Sequence, residues 1–506
     1  VTIEKTKRWI VFFVIVLTTL NVGLCLRAVS HFDIYVDSFH FMLMAREFAR
    51  AGTVNGWLGP QGDMFIAHPG PLYKWGYPLM MSLPVALGAT PEWAGHAVAT
   101  LSGLLCPFAA FALLLGLSHK RGPALAAFAL TVFSYEITTW SGFVMSDVPS
   151  MTTGMLGLAL LVNSKQAPGR IFSGLLIAWA AIGRTELLLL TIPCVLLMIS
   201  QGHSWRALLS FLVPMGLFFL AVVLYLGLHI PRSHFIIGGH TESLWDKLFG
   251  RFSDLSRVLN LKFLVRFSLR EAPLVFCAGL GIMGLAWRRQ GWHLLISATL
   301  AMPLICVYNS SVGHDRYYIQ IIPGLLIPAA LWLGQTDLWI NIWPGRFRVG
   351  TICVAIALVG MGVQAFEVVR RGNRDLDYRG EVAQWVGSLQ NQGAIHKEDV
   401  LITIAEKAVH LRTGLSCRSL YSTPPYMDIG GLDHSTEVVL ITDDFLVGRK
   451  MPGFREALAG RSELIASMES VALLAPTYHL EDDPPRRVEA WRVPWSVAKD
   501  LTMWRP

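Results

Sequence analysis

Five short stretches of this chain carry side chains that could do chemistry. "FDIYVDSFHFMLMAREFARAG" (32–52) holds Asp33, Asp37, His40, Arg46 and Glu47. "AHPGPLYKWGYP" (67–78) holds Tyr73, Lys74, Trp75 and Tyr77. "MSDVPS" (145–150) holds Asp147. "IGRTEL" (182–187) holds Arg184 and Glu186, and "GHDRYY" (313–318) holds His314, Asp315, Arg316, Tyr317 and Tyr318. Carboxylates such as Asp37 and Asp147 can take a proton or hold a divalent cation. Arg184, Arg316 and Lys74 can bind an anionic group such as a phosphate. Each residue also has a plain structural use. Asp37 and Asp147 stand where they could cap helices, and Arg184 with Glu186 could form a local ion pair. His31, Asp33, His40, Asp63 and His68 crowd one stretch, but their spacing matches no metal motif, and metal binding stays open.

The elements that must position these residues are mostly oily. The chain has 506 residues, 53% of them hydrophobic and 15% charged, with mean hydropathy +0.48. A soluble protein would carry roughly 25% charged residues, so this composition predicts a polytopic α-helical membrane protein. Residues 1–372 hold 27 Lys+Arg against 16 Asp+Glu, and residues 373–506 hold 15 against 19. The basic excess therefore belongs to the oily part. It points to lipid phosphates or topology signals, not to nucleic acid. The less oily remainder predicts a division into a membrane domain, 1–370, and a soluble domain, 371–506. The seven cysteines show no metal spacing and are expected to pack.

Apolar runs predict eleven spans, near 9–28, 93–117, 122–139, 143–162, 170–184, 186–201, 205–229, 271–287, 291–309, 317–333 and 348–366. The first is too long for a cleaved signal, so it is expected to be retained. The run 76–90 is short and proline-interrupted and is expected to lie at the interface. In 32–52, Phe41, Met44, Ala45, Phe48 and Ala49 recur at helical spacing, which predicts an amphipathic interfacial helix with Asp37 at its cap. Lys5, Lys7 and Arg8 place the N-terminus on the cytoplasmic side, and alternate short loops carry Lys120, Arg170, Arg206, Arg288, Arg346 and Arg348. The first outer loop (30–92), Asp147, Arg184 and Arg316 then share the outer face. Charges at span ends are costly unless paired or wetted, so they are candidates for a site. As a bland alternative Arg316 is an interfacial anchor. The loop 230–270 also falls outside yet is basic. Leu244, Leu248, Phe252, Leu255, Leu259 and Phe263 predict an amphipathic helix there.

The layout resembles the GT-C superfamily of polyprenyl-phosphate-sugar-dependent glycosyltransferases, nearest to its protein O-mannosyltransferase and lipid A aminoarabinose transferase branch. The resemblance rests on Asp37 early in the first outer loop, "REFARAG" (46–52), Pro71, Leu72, Tyr73, Tyr77 and Pro78, and the later Arg316, Tyr317, Tyr318 and Pro323. It departs where the family often has Asp-Glu, since here Asp37 is followed by Ser38. What it implies is sugar transfer from a polyprenyl-phosphate donor to a glycan, lipid or protein acceptor at the extracytoplasmic face of the bacterial inner membrane. Asp37 would be the general base and Asp147 a second acid. Arg316, Lys74 and Arg184 would meet the donor phosphate, with His40, Glu186, His314, Asp315, Tyr73 and Tyr317 in support. The resemblance also implies inversion at the sugar carbon. No cofactor is required by these residues, and a divalent cation stays open. A polymerase or ligase of polyprenyl-linked glycans, and a lipid-linked sugar transporter or flippase, are the competing readings. A transporter would place charges or broken helices near the bilayer midplane.

The C-terminal part predicts an extracytoplasmic α/β domain. "DVLITI" (399–404) and "EVVLITDDFLV" (437–447) have the composition of buried strands. "EKAVHLRTG" (406–414) predicts a helix ending at Gly414, and "RRVEAWRVPW" (486–495) alternates as an edge strand would.

Overall fold

The computed structural model describes residues 2–31, 36–52, 74–229, 254–308, 315–335, 339–342, 345–348, 359–360, 362–363, 378–403, 405–419, 437–443, 454–470 and 486–497. It is mainly helical. The helices that concern the site are α1 (Thr2–His31), α2 (Val36–Ala51), α3 (Gly76–Ala86), α4 (Pro91–Ser118), α5 (Arg121–Val132), α6 (Tyr135–Ser141), α7 (Asp147–Asn163) and α8 (Ala167–Gly183). They are followed by α9 (Thr191–Ser200), α10 (Trp205–His229), α11 (Asp254–Arg270) and α12 (Ala272–Trp287). Two 3-10 helices, Thr185–Leu190 and Asp315–Ile321, carry polar residues of the site.

Local sequence sets these boundaries. Thr90 caps α4, its hydroxyl accepting from the Trp93 N–H, with Pro91 in the first turn. Ser134 caps α6 by accepting from the Ile137 N–H. That cap divides the predicted span 122–139 into α5 and α6, because a serine hydroxyl offers the backbone a new helix start. Among the described residues four helices are long and apolar enough to cross a membrane. The pair Asn260–Arg270 and Ala272–Trp287 is long and apolar enough only when taken together and is bent by 90°, as a broken span or a re-entrant loop would be. Several shorter apolar helices join them, including Val11–Leu26, Arg121–Val132 and Ala167–Gly183. Most of the predicted span 348–366 lies outside the described residues. Arg346 and Arg348 sit in a two-stranded hairpin, β1 (Trp339–Ile342) and β2 (Gly345–Arg348). Large apolar side chains such as Phe12, Leu217, Leu224, Phe276 and Met283 face outward, a surface suited to hydrocarbon.

One helix behaves differently from its sequence expectation. The helix α2 forms, but Phe39, Phe41, Met42, Leu43, Met44 and Ala45 are all fully buried. From Ser38 to Ala45 it is therefore buried on both faces, because α3, α4 and a helix of the C-terminal part pack on it, while Arg50 and Ala51 at its end are exposed. Trp75 and Tyr77 are likewise buried, so they are core residues. Trp75 meets Phe48 edge-on at 5.6 Å, and the Tyr77 hydroxyl donates to the Gly95 carbonyl at 2.7 Å.

One glycine contact aligns much of the site. A Cβ on Gly76 would lie 2.8 Å from the Gly183 nitrogen, and a Cβ on Gly183 would meet the Ser150 hydroxyl. Only hydrogen at both positions lets α3, α8 and α7 approach this closely.

The C-terminal part holds a five-stranded mixed sheet in the order β4 (Ser416–Ser419), β3 (Val400–Thr403), β5 (Glu437–Asp443), β7 (Arg486–Pro494), β6 (Glu463–Ser470). Strand β3 pairs in parallel with β4 and β5, and β7 runs antiparallel to β5 and β6. The predicted edge strand 486–495 is thus internal. Its alternation reflects two dissimilar faces, one of which carries Glu489 paired with Arg455 and Arg487, and says nothing of edge position. The helix α17 (Glu406–Thr413; α13 to α16 are Gly291–Leu300, Pro303–Tyr308, Ile322–Gln335 and Tyr378–Asn391) ends at Gly414 with φ 72°, as predicted.

Candidate active site

Asp147 opens the first turn of α7, where the helix dipole favours a negative charge. Arg184 lies between α8 and the 3-10 helix Thr185–Leu190, in extended backbone with φ −153° and ψ 108°. That break turns its side chain out of the helical path. Its guanidinium donates to Asp147 Oδ1 in a direct ion pair. Arg316, from the second 3-10 helix, brings Nε to 3.9 Å from Asp147 Oδ2. Asp147 is 0% exposed, Arg316 1% and Arg184 2%, so the three charges lie away from bulk water. Buried charges persist only where they compensate one another.

Tyr317 organises the cations. The Arg184 Cζ stands 4.5 Å from its ring centroid, the Arg316 Cζ 5.2 Å and the Lys74 Nζ 5.5 Å. Three cations from three separate elements therefore gather around one aromatic ring, with the Asp147 carboxylate in contact. Such a cluster of cations suits an anion with several acceptor oxygens. Trp140 lies beneath Arg316, its ring centroid 5.9 Å from Cζ. Met145 bridges the site to α2: its sulfur accepts from Arg316 Nη1 at 3.9 Å and from the Ser38 hydroxyl at 3.8 Å.

Of the residues singled out in the sequence, Asp147, Arg184, Arg316, Lys74 and Tyr317 are brought together. Asp37 is the second residue of α2, and its side chain lies outside the described residues; its neighbour Ser38 is one sulfur atom away from Arg316. His40 is buried one turn further along α2, and Glu186 is buried at the start of its 3-10 helix. Tyr73 and His314 lie outside the described residues, as does the Asp315 side chain. Among the described residues no group of three or more His, Cys, Asp or Glu is placed to hold a metal ion. Sequence reasoning missed Trp140, Met145 and a second buried cluster, Glu136, Glu271 and Arg270. One signal was available: Glu136 is a carboxylate inside an otherwise apolar run.

No family model and no curated protein matches the chain. Solved structures do. The likeness is one of fold. The chain is similar to the lipid A aminoarabinose transferase ArnT from Cupriavidus metallidurans. The structure of ArnT bound to undecaprenyl phosphate matches with a TM-score of 0.61 and 13% identity, covering 95% of this chain and 98% of that one. The apo structure matches with a TM-score of 0.58 and 12% identity, covering 96% and 98%.

Proposed function

We propose that this protein is a multi-pass membrane glycosyltransferase. It moves a sugar from a polyprenyl-phosphate donor to a cell-envelope acceptor at the extracytoplasmic face. The observation that carries this reading is the convergence of Lys74, Arg184 and Arg316 on Tyr317, with Asp147 against both arginines. The carrier is too oily to leave the bilayer, so a site among buried helix ends suits it. The undecaprenyl phosphate bound by ArnT supports a carrier of this class.

In the step proposed, an acceptor hydroxyl or amine attacks the anomeric carbon. The new bond to that carbon forms as its bond to the phosphate oxygen breaks. The acceptor proton passes to the Asp37 carboxylate, and polyprenyl phosphate leaves with the electron pair. One displacement inverts the carbon. The three cations stabilise charge that grows on the leaving phosphate. Because Asp147 is engaged by Arg184 and Arg316, its role in this scheme is to orient the cations, and the base remains Asp37.

The test is transfer from radiolabelled polyprenyl-phosphate sugars in proteoliposomes, with and without chelator. Arg316→Ala is expected to lower turnover by about 10²-fold or more, and Asp37→Asn by about 10²–10⁴-fold. Full activity in a folded Asp37→Asn protein would remove Asp37 as base. Loss on chelation would move it towards a metal ligand. Vectorial movement of the intact lipid-linked sugar without transfer would favour the flippase.

A further inference from the structure

A second buried polar cluster adjoins the cations through Trp140. Glu136, Glu271 and Ser134 are 0% exposed. Glu271 stands at the 90° break between α11 and α12, and its Oε1 accepts from the Ser134 hydroxyl at 2.6 Å and the Glu136 N–H at 2.9 Å. It thus fastens the start of α6. The Glu136 side chain looks the other way along the helix. Its Oε2 accepts from the Trp140 indole N–H at 2.8 Å, and its Oε1 lies 3.3 Å from Arg270 Nη1. The Arg270 guanidinium also covers the Tyr135 ring at 5.1 Å. Phe143 packs on Trp140 with ring centroids 4.9 Å apart.

We propose that Glu136 is a positioning residue for the donor-phosphate site, acting through Trp140 on Arg316. The inference rests on the reading of that site given above. An indole hydrogen bond fixes the ring plane, and that plane is what Arg316 faces at 5.9 Å. A carboxylate acceptor also draws on the N–H and enriches the ring face, which strengthens its attraction for a cation. A neutral acceptor would hold the ring at less desolvation cost. Arg270 compensates the carboxylate's charge through Oε1, and Oε2, which holds the indole, serves to keep Arg316 in place before the donor arrives.

The experiment measures binding of a polyprenyl phosphate and of the matching neutral polyprenol to the full chain in nanodiscs. Glu136→Gln keeps an acceptor for the indole and removes the charge; it is expected to weaken polyprenyl phosphate binding a few-fold. Glu136→Ala is expected to weaken it by on the order of tenfold. Polyprenol binding should not change in either. In a Trp140→Leu background, adding Glu136→Gln should cost nothing more, since the path through the indole is gone. Trp140→Phe, which keeps a ring without the N–H, serves if Trp140→Leu does not fold. Equal losses in both backgrounds, equal losses for the neutral alcohol, or no loss at all would overturn the proposal alone. A wild type that binds neither lipid would overturn the donor reading and this proposal with it.

Discussion

At the residue scale, the site is defined by one carboxylate shared between two arginines. Asp147 and Arg184 are both essentially unexposed, so removing one charge strands the other. Asp147→Asn is expected to destabilise the fold by about 3 kcal/mol, read as a shift in unfolding by denaturant or heat. Pairing it with Arg184→Gln should recover part of that loss, because one of the two arginines facing the lost carboxylate is then removed as well. A single mutant as stable as wild type would show that water reaches the pair. Some of this was legible in the sequence. Arg184, Arg316 and Lys74 were recognisable as cations at span ends on one predicted face. Their mutual arrangement was not, because Asp147 and Arg184 meet through tertiary packing that no local spacing encodes. Tyr317 was named only as a supporting residue, and that three cations share its ring was not legible, since an interfacial tyrosine is commonplace.

At the element scale, the approach of α3, α8 and α7 at Gly76, Gly183 and Ser150 carries three of the site's residues. Lys74 precedes Gly76 by two positions, Arg184 follows Gly183, and Asp147 lies one turn before Ser150. Gly183→Ala would drive a methyl into the Ser150 hydroxyl and push α8 from α7. The expected cost is about 1–3 kcal/mol of stability, with weakened polyprenyl phosphate binding as Arg184 shifts. Gly183→Ala combined with Ser150→Gly makes room for the methyl and should restore binding; a double variant as weak as the single would sink this account. The helices themselves were readable from apolar periodicity. The depth of α2 was not. Its apolar stripe predicts one buried face, whereas Phe39, Met42 and Leu43 are buried too, under neighbours that periodicity does not reveal.

At the scale of the whole molecule, the C-terminal sheet is tied to the helical part through α17 and α2. Arg46 Nη2 lies 3.2 Å from His410 Nε2, while His410 Nδ1 lies 2.8 Å from the Leu415 carbonyl oxygen. Burial lowers the His410 pKa from its ordinary 6.5; the Leu415 carbonyl and Glu47 oppose that shift, and the Arg46 cation adds to it. The folded state thus resists protonation, and the contact is favourable above the ordinary histidine range. It weakens as pH falls below about 6.5, where the separated histidine gains a proton that the docked one refuses. Hydrogen exchange across 406–413 is expected to quicken between pH 7.5 and 5.5, and His410→Gln should abolish that change. Exchange independent of pH in the wild type would count against the contact. The existence of strands and helix here was legible. The internal place of β7 was not, since alternation records the two faces of a strand and not its neighbours.

The helix α2 serves two masters. Near its start stands Asp37, and nine residues on, about 14 Å along the axis, stands Arg46 against His410. Packed against α3, α4 and α17, it would act as a crowbar between the sheet and the cation cluster. A tilt of about 4° at the far end swings the near end by about 1 Å, a misplacement that can cost on the order of 10²-fold in rate. His410→Ala should therefore slow turnover while leaving polyprenyl phosphate affinity intact, and unchanged turnover would show that the bar does not bear on the chemistry. Whatever settles on the sheet would then have a mechanical route to Asp37, the proposed proton acceptor, without touching it.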